Sequence, residues 1–167
     1  NYSYYKRVFV GALRAVDFIT SLPQYNGKAL GVTGSSQGGA LSMVTAALDK
    51  RVTFYAAIHP AMCDHRAHLQ KVAGGWPHYF YYFPTPTPQR IQTADYYDMV
   101  NFARRITVPG WFSWGYNDDV CPPTSTYAAY NSITAPKELH PYLETGHYWY
   151  QEQYEQWSQW LWAQMGL

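Results

Sequence analysis

The chain has 167 residues, about one domain's worth, long enough to bury roughly 70% of its unfolded surface without disulfides or metals. Only 14% of residues are charged and the formal net charge is +1, so no strong field favours a nucleic acid or an anionic membrane. At 47% hydrophobic it is too apolar for a disordered chain, it has no run of about 20 apolar residues to span a bilayer, and two cysteines make no disulfide framework.

Residues 6–21 place Val8, Ala12, Ala15, Val16 and Ile19 at helical spacing, and Pro23 and Gly27 end that helix. Residues 29–33 form a short apolar run, read as a strand buried on both faces. After Ser36, residues 37–48 are rich in Ala, Leu and Met and favour a helix. Residues 52–58 read as a second buried strand, closed by Pro60. From 61 to 90 the periodicity dissolves among Gly74-Gly75, Pro77, Pro84, Pro86 and Pro88, which predicts an excursion, helical early and looped late. Residues 93–105 read as a helix, 108–114 as a third strand, 122–132 as a short helix opened by proline, and 138–143 as a fourth strand. A last helix at 149–164 carries Trp157, Trp160, Leu161 and Met165 as its stripe. Strands alternating with helices predict one α/β domain over residues 1–167, a mostly parallel sheet with helices on both faces. Ligands of such sheets bind outside the carboxyl ends of the strands.

Just past the first strand lies Gly34-Ser35-Ser36-Gln37-Gly38-Gly39, past the third Asn117-Asp118-Asp119, and past the fourth Gly146-His147. Gly34-x-Ser36-x-Gly38 between a strand and a helix is the nucleophile-elbow pattern. Its tight turn exposes the serine Oγ above the sheet, and the Gln37 N–H can face a developing oxyanion at the helix start. No Lys-Ser/Thr pair follows the glycines, which excludes a phosphate loop. A serine hydroxyl needs a base, and His147 is the best placed of the six histidines. His59, at the end of the second strand, and His140, inside the fourth, read as core or edge histidines. An imidazole base needs an acid partner, and spacing leaves Asp118 and Asp119 both open. Cys63, His65 and His68 fall within six residues, but their spacing matches no standard zinc pattern, so no metal or cofactor is expected. Cys121 reads as a packed, unreactive thiol.

Aromatic residues make up 19% of the chain, with 17 tyrosines and 7 tryptophans. They fit a Tyr-rich core and subunit surface, or a cleft for an uncharged ligand such as a sugar. The segment 76–83 suits either an acyl or sugar pocket or a subunit contact. Asn1-Tyr2-Ser3 is a formal glycosylation sequon. Residues 1–7 carry no signal-peptide pattern and no initiator Met opens the chain, so it reads as part of a longer product, its compartment unassigned.

Gly31-Val32-Thr33-Gly34-Ser35-Ser36-Gln37-Gly38-Gly39, the run from Asp118 through Pro122-Pro123 to Asn131, Lys137-Glu138-Leu139 and Gly146-His147 together resemble the acetyl xylan esterase and cephalosporin C deacetylase family of α/β-hydrolases. Arg14-Ala15-Val16-Asp17-Phe18 and Tyr97-Asp98-Met99-Val100-Asn101-Phe102-Ala103 resemble family segments too, and only 61–90 matches weakly. The resemblance implies Ser36 as nucleophile, His147 as base and Asp118 as acid. It also implies hydrolysis of short acyl esters, typically acetyl, of a small-molecule or oligosaccharide alcohol. It implies no cofactor, and an oligomer with enclosed active sites.

A full hydrolase of this kind carries several strands before its elbow, and only 35 residues precede Ser36 here. The chain is therefore expected to lack the N-terminal strands and the loop that supplies a second oxyanion donor. That half is expected upstream, in a partner fragment or in a neighbouring subunit, if it exists. Two rival readings remain: a serine peptidase of the prolyl-oligopeptidase type, which shares fold and triad order, and a catalytically silent hydrolase remnant.

Overall fold

A computed structural model of the chain describes residues 4–167; the Asn1-Tyr2-Ser3 sequon lies outside them. Four parallel strands form one sheet in the order β1 (Gly31–Ser35), β2 (Phe54–Ile58), β3 (Gly110–Gly115) and β4 (Lys137–Tyr142). Strands adjacent in sequence are neighbours in the sheet, so consecutive strand ends form a row. Parallel strands need crossovers, and helices supply them: α1 (Tyr4–Ser21) precedes the sheet, α2 (Gln37–Leu48) joins β1 to β2, and α6 (Pro123–Asn131) joins β3 to β4.

Alternation along the strands sorts the core into two layers. Tyr55 and Ala57 of β2 and Phe112 and Trp114 of β3 face one side, packed with Phe9, Ala40, Met43, Val44 and Met99. Ala56, Ile58 and Trp111 face the other side, covered by Trp149, Trp157, Trp160 and Leu161. These come mainly from the last helix, α7 (Gln151–Met165). Helices thus cover both faces, as expected. Met165, assigned to the apolar stripe of α7, is exposed.

Other expectations need correction. The buried side of α1 is Tyr5, Phe9 and Val16; Ala15 and Ile19 are exposed. Aromatic partners distant in sequence select this face: Phe9 meets Tyr97 and Phe102 edge-on or tilted, and Tyr5 meets Trp76 and Tyr79. The first strand is not buried on both faces, because β1 pairs only with β2 and lies at the sheet edge. The region 88–105 is two helices rather than one, α4 (Pro88–Asp95) and α5 (Met99–Ala103). Asp98 divides them. Its buried carboxylate caps α5 by accepting from the Val100 N–H and also accepts from the Asp64 and His65 N–H groups.

The excursion holds a 3-10 turn at Ala67–Gln70 and the short helix α3 (Tyr79–Tyr82), so its late part is helical as well. It is tied to the segments that follow β2 and β3 by backbone bonds: Met62 N–H donates to Trp76 O, and Trp76 N–H to Val120 O. Phe80 is buried, while Tyr81, Tyr82 and Phe83 are exposed. Among the described residues, no helix is long and apolar enough to cross a membrane.

Candidate active site

Ser36 sits between β1 and α2 with φ 56° and ψ −118°, a region costly for any residue with a Cβ. Three backbone bonds hold it there. Its N–H donates to Ile58 O at 2.9 Å, and its carbonyl accepts from Ala40 and Ala61 at 3.1 and 3.0 Å. The two elbow glycines differ in what they do. A Cβ on Gly34 would lie 2.4 Å from the Gly38 carbonyl carbon, whereas one on Gly38 would meet nothing within 4 Å. Only Gly34 is required by close approach. Gln37 opens α2, so its N–H belongs to the first turn, whose donors have no intrahelical acceptor.

Asp118 lies past β3 and is 3% exposed. Its Oδ1 accepts from the N–H groups of Val120 and Cys121 at 2.9 and 2.7 Å. Its Oδ2 faces His147 Nδ1 at 2.7 Å, and His147 Nε2 lies 2.9 Å from Ser36 Oγ. A carboxylate only accepts, so Nδ1 carries the imidazole proton and Nε2 accepts from the serine hydroxyl. Asp119, left open by spacing, is exposed. The loop bearing His147 lies tightly on the end of β3: a Cβ on Gly115 would fall 2.1 Å from Thr145 O, and Thr145 O accepts from the Asn117 N–H.

His59 follows β2 and is buried against this group, its ring centroid 4.2 Å from that of His147. Burial drives its pKa down to about 4, with His147 adding to the effect. Sequence reasoning read His59 as a core or edge histidine, not as part of the site, and missed its neighbour Ser35, whose Oγ lies 2.6 Å from His59 Nε2. Strand order was the available signal, since the end of β2 must fall between the loops carrying Ser36 and Asp118.

Cys63, His65 and His68 do not converge. Among the described residues, the one His/Cys/Asp/Glu group spaced for a metal is His59, Asp118 and His147, and its Asp118–His147 pair is already hydrogen-bonded. Cys121 is fully buried, and burial pushes its thiol up to about 12, which leaves it protonated and unreactive at neutral pH.

The acetyl xylan esterase (AXE1) family model matches residues 1–164. The chain belongs to this family. Acetyl esterase Axe7A of Xylanibacter ruminicola is 55% identical over 135 residues, covering 81% of this chain and 31% of that protein. The solved acetyl xylan esterase from Paenibacillus sp. R4 superposes with a TM-score of 0.85 at 31% identity, covering 96% of this chain and 53% of that one. Acetyl xylan esterase 1 from Thermoanaerobacterium sp. JW/SL YS485 gives 0.81 at 26% identity, with the same coverage of both chains. The chain thus spans about half the length of these solved family members and about a third of the curated one. The mostly parallel α/β sheet expected from strand alternation, and the α/β-hydrolase fold that the resemblance implies, match the fold of these structures.

Proposed function

We propose that the chain is the triad-bearing part of a serine esterase that hydrolyses acetyl esters of carbohydrates or similar alcohols. One observation carries the reading: His147 bridges Ser36 Oγ at 2.9 Å and Asp118 Oδ2 at 2.7 Å from opposite ring nitrogens. That geometry is within reach for proton transfer without rearrangement.

In the proposed cycle Ser36 Oγ attacks the acetyl carbonyl carbon while His147 Nε2 takes the hydroxyl proton. The carbonyl oxygen gains a negative charge, which the Gln37 N–H meets, aided by the positive end of α2. The alcohol leaves with the proton from Nε2, and acetyl remains on Ser36. Water then attacks, again losing a proton to Nε2, and acetate departs as Ser36 Oγ recovers it. Asp118 fixes the tautomer throughout and offsets the imidazolium charge. Nothing in this cycle calls for a cofactor. We further propose that a second oxyanion donor comes from protein beyond these residues, upstream in the chain or from an associated subunit. An intact-mass measurement on the native product tests this by showing whether the mass exceeds 19.2 kDa.

The names and similarity of the relatives support acetyl as the acyl group. Ser36→Ala should abolish hydrolysis of p-nitrophenyl acetate, and the parent should cleave acetate esters much faster than octanoate esters. Retained activity in the alanine variant would refute the assignment. Equal rates on both esters would point to a general esterase, and preferential cleavage of peptide amides to a peptidase.

A further inference from the structure

His59 takes no part in the proton transfers above, yet the fold fixes it closely against them. Its φ is 31°, an unfavourable value for a residue with a Cβ, and its N–H donates to Ser113 O at 2.7 Å, locking it onto β3. Its side chain is anchored at one end: Nε2 lies 2.6 Å from Ser35 Oγ, which also accepts from Trp149 Nε1 at 3.4 Å. Ser35 and Trp149 flank the elbow serine and the histidine loop, so the anchor joins the two segments carrying Ser36 and His147. The other ring nitrogen, Nδ1, is buried with no hydrogen-bond partner.

The two bonds of His147 run through Nδ1 and Nε2 and so leave the ring able to rock about the line joining them. A flat group packed against the ring removes that freedom, and the His59 ring centroid lies 4.2 Å from that of His147, the rings tilted by 46°. The flat group must also stay uncharged, because His147 becomes an imidazolium in each transfer and a second cation in contact would oppose it. The site enforces this. A protonated His59 would carry a hydrogen on Nδ1 with no acceptor in a desolvated position.

We infer that His59 is a positioning residue: a neutral imidazole, anchored by Ser35, that packs against His147 and holds its ring in line with Ser36 and Asp118. The inference rests on the reading of His147 as the base.

The test measures p-nitrophenyl acetate hydrolysis, with kcat expressed per mole of folded protein. His59→Ala should lower kcat about tenfold with KM changed less than about twofold, because misplacement of a base harms the reacting geometry and not ground-state binding. His59→Phe, which keeps a flat ring and loses both nitrogens, should restore kcat to within about threefold of the parent. In a His147→Ala background, His59→Ala should change the residual rate by less than about twofold, since no ring remains to be positioned. The inference is overturned by parent-level kcat in His59→Ala, by a phenylalanine variant no better than alanine, or by a full loss in the His147→Ala background. If the His59 variants do not fold, Ser35→Ala decides: a kcat loss of about two- to threefold at constant KM supports the anchor, and an unchanged kcat overturns it. Failure of the base reading shows separately, as activity retained in Ser36→Ala or His147→Ala.

Discussion

Ser36, Asp118 and His147 illustrate how much single side chains must be constrained before chemistry follows. Ser36 accepts an unfavourable φ of 56°, and Asp118 is buried with its carboxylate held by the Val120 and Cys121 N–H groups and by His147. His59 carries a cost as well, which appears in solution as pH dependence. Its folded pKa is about 4 against an ordinary 6.5, so between those values the unfolded chain binds a proton that the folded chain does not. Stability therefore falls as pH drops through that window, by about 2 kcal/mol at pH 5 relative to neutral pH from this group alone. His65 and His68 shift the same way through burial and add to it. Asp17 and Asp49, both lowered by Arg51, titrate below this window, and Asp64, raised by burial, opposes the trend. Urea unfolding at pH 5 and pH 7.5 should show the lower midpoint at pH 5, with a smaller difference in His59→Phe. A midpoint that does not fall on acidification would contradict the assigned protonation of His59.

Among the elements, the strand–elbow–helix unit was legible because its signals are local: small residues at fixed offsets, followed by helix formers over Gln37–Leu48. The contribution of each glycine was not. Cβ clearance separates them, and two substitutions follow from it. Gly34→Ala drives a methyl into the Gly38 backbone, which cannot yield as a side-chain tip would; this should lower stability by about 3 kcal/mol or more and remove esterase activity. Gly38→Ala adds a methyl in open space inside a helix and should gain up to about 1 kcal/mol while keeping the fold. Equal urea midpoints for the two variants would contradict this account of the elbow. The faces of α1 and β1 were less legible for a different reason. Phe9 is buried by Tyr97 and Phe102, and β1 is only partly covered at the sheet edge, where one strand flanks it. Both facts depend on neighbours remote in sequence.

For the molecule as a whole, the sheet order turns three distant loops into one site. Consecutive neighbours β1 to β4 place the ends bearing Ser36, His59, Asp118 and His147 in a row, which is why the order serine, acid, histidine could be anticipated at strand ends. Spacing left Asp118 and Asp119 open and the family resemblance pointed to Asp118; burial separates them physically, since Asp118 is buried and Asp119 is exposed. The contact between His59 and His147 spans 88 positions between elements that no local pattern joins. The central claim is that His147 and Asp118 make Ser36 the one activated hydroxyl of the chain. Fluorophosphonate labelling followed by peptide mass mapping tests it most directly. The adduct should lie on Ser36 alone, should disappear in His147→Ala, and should form about 10⁴-fold more slowly in Asp118→Asn, the scale seen when a triad acid is replaced in a serine protease. An adduct on another residue, or Ser36 labelled at the parent rate in His147→Ala, would contradict the account.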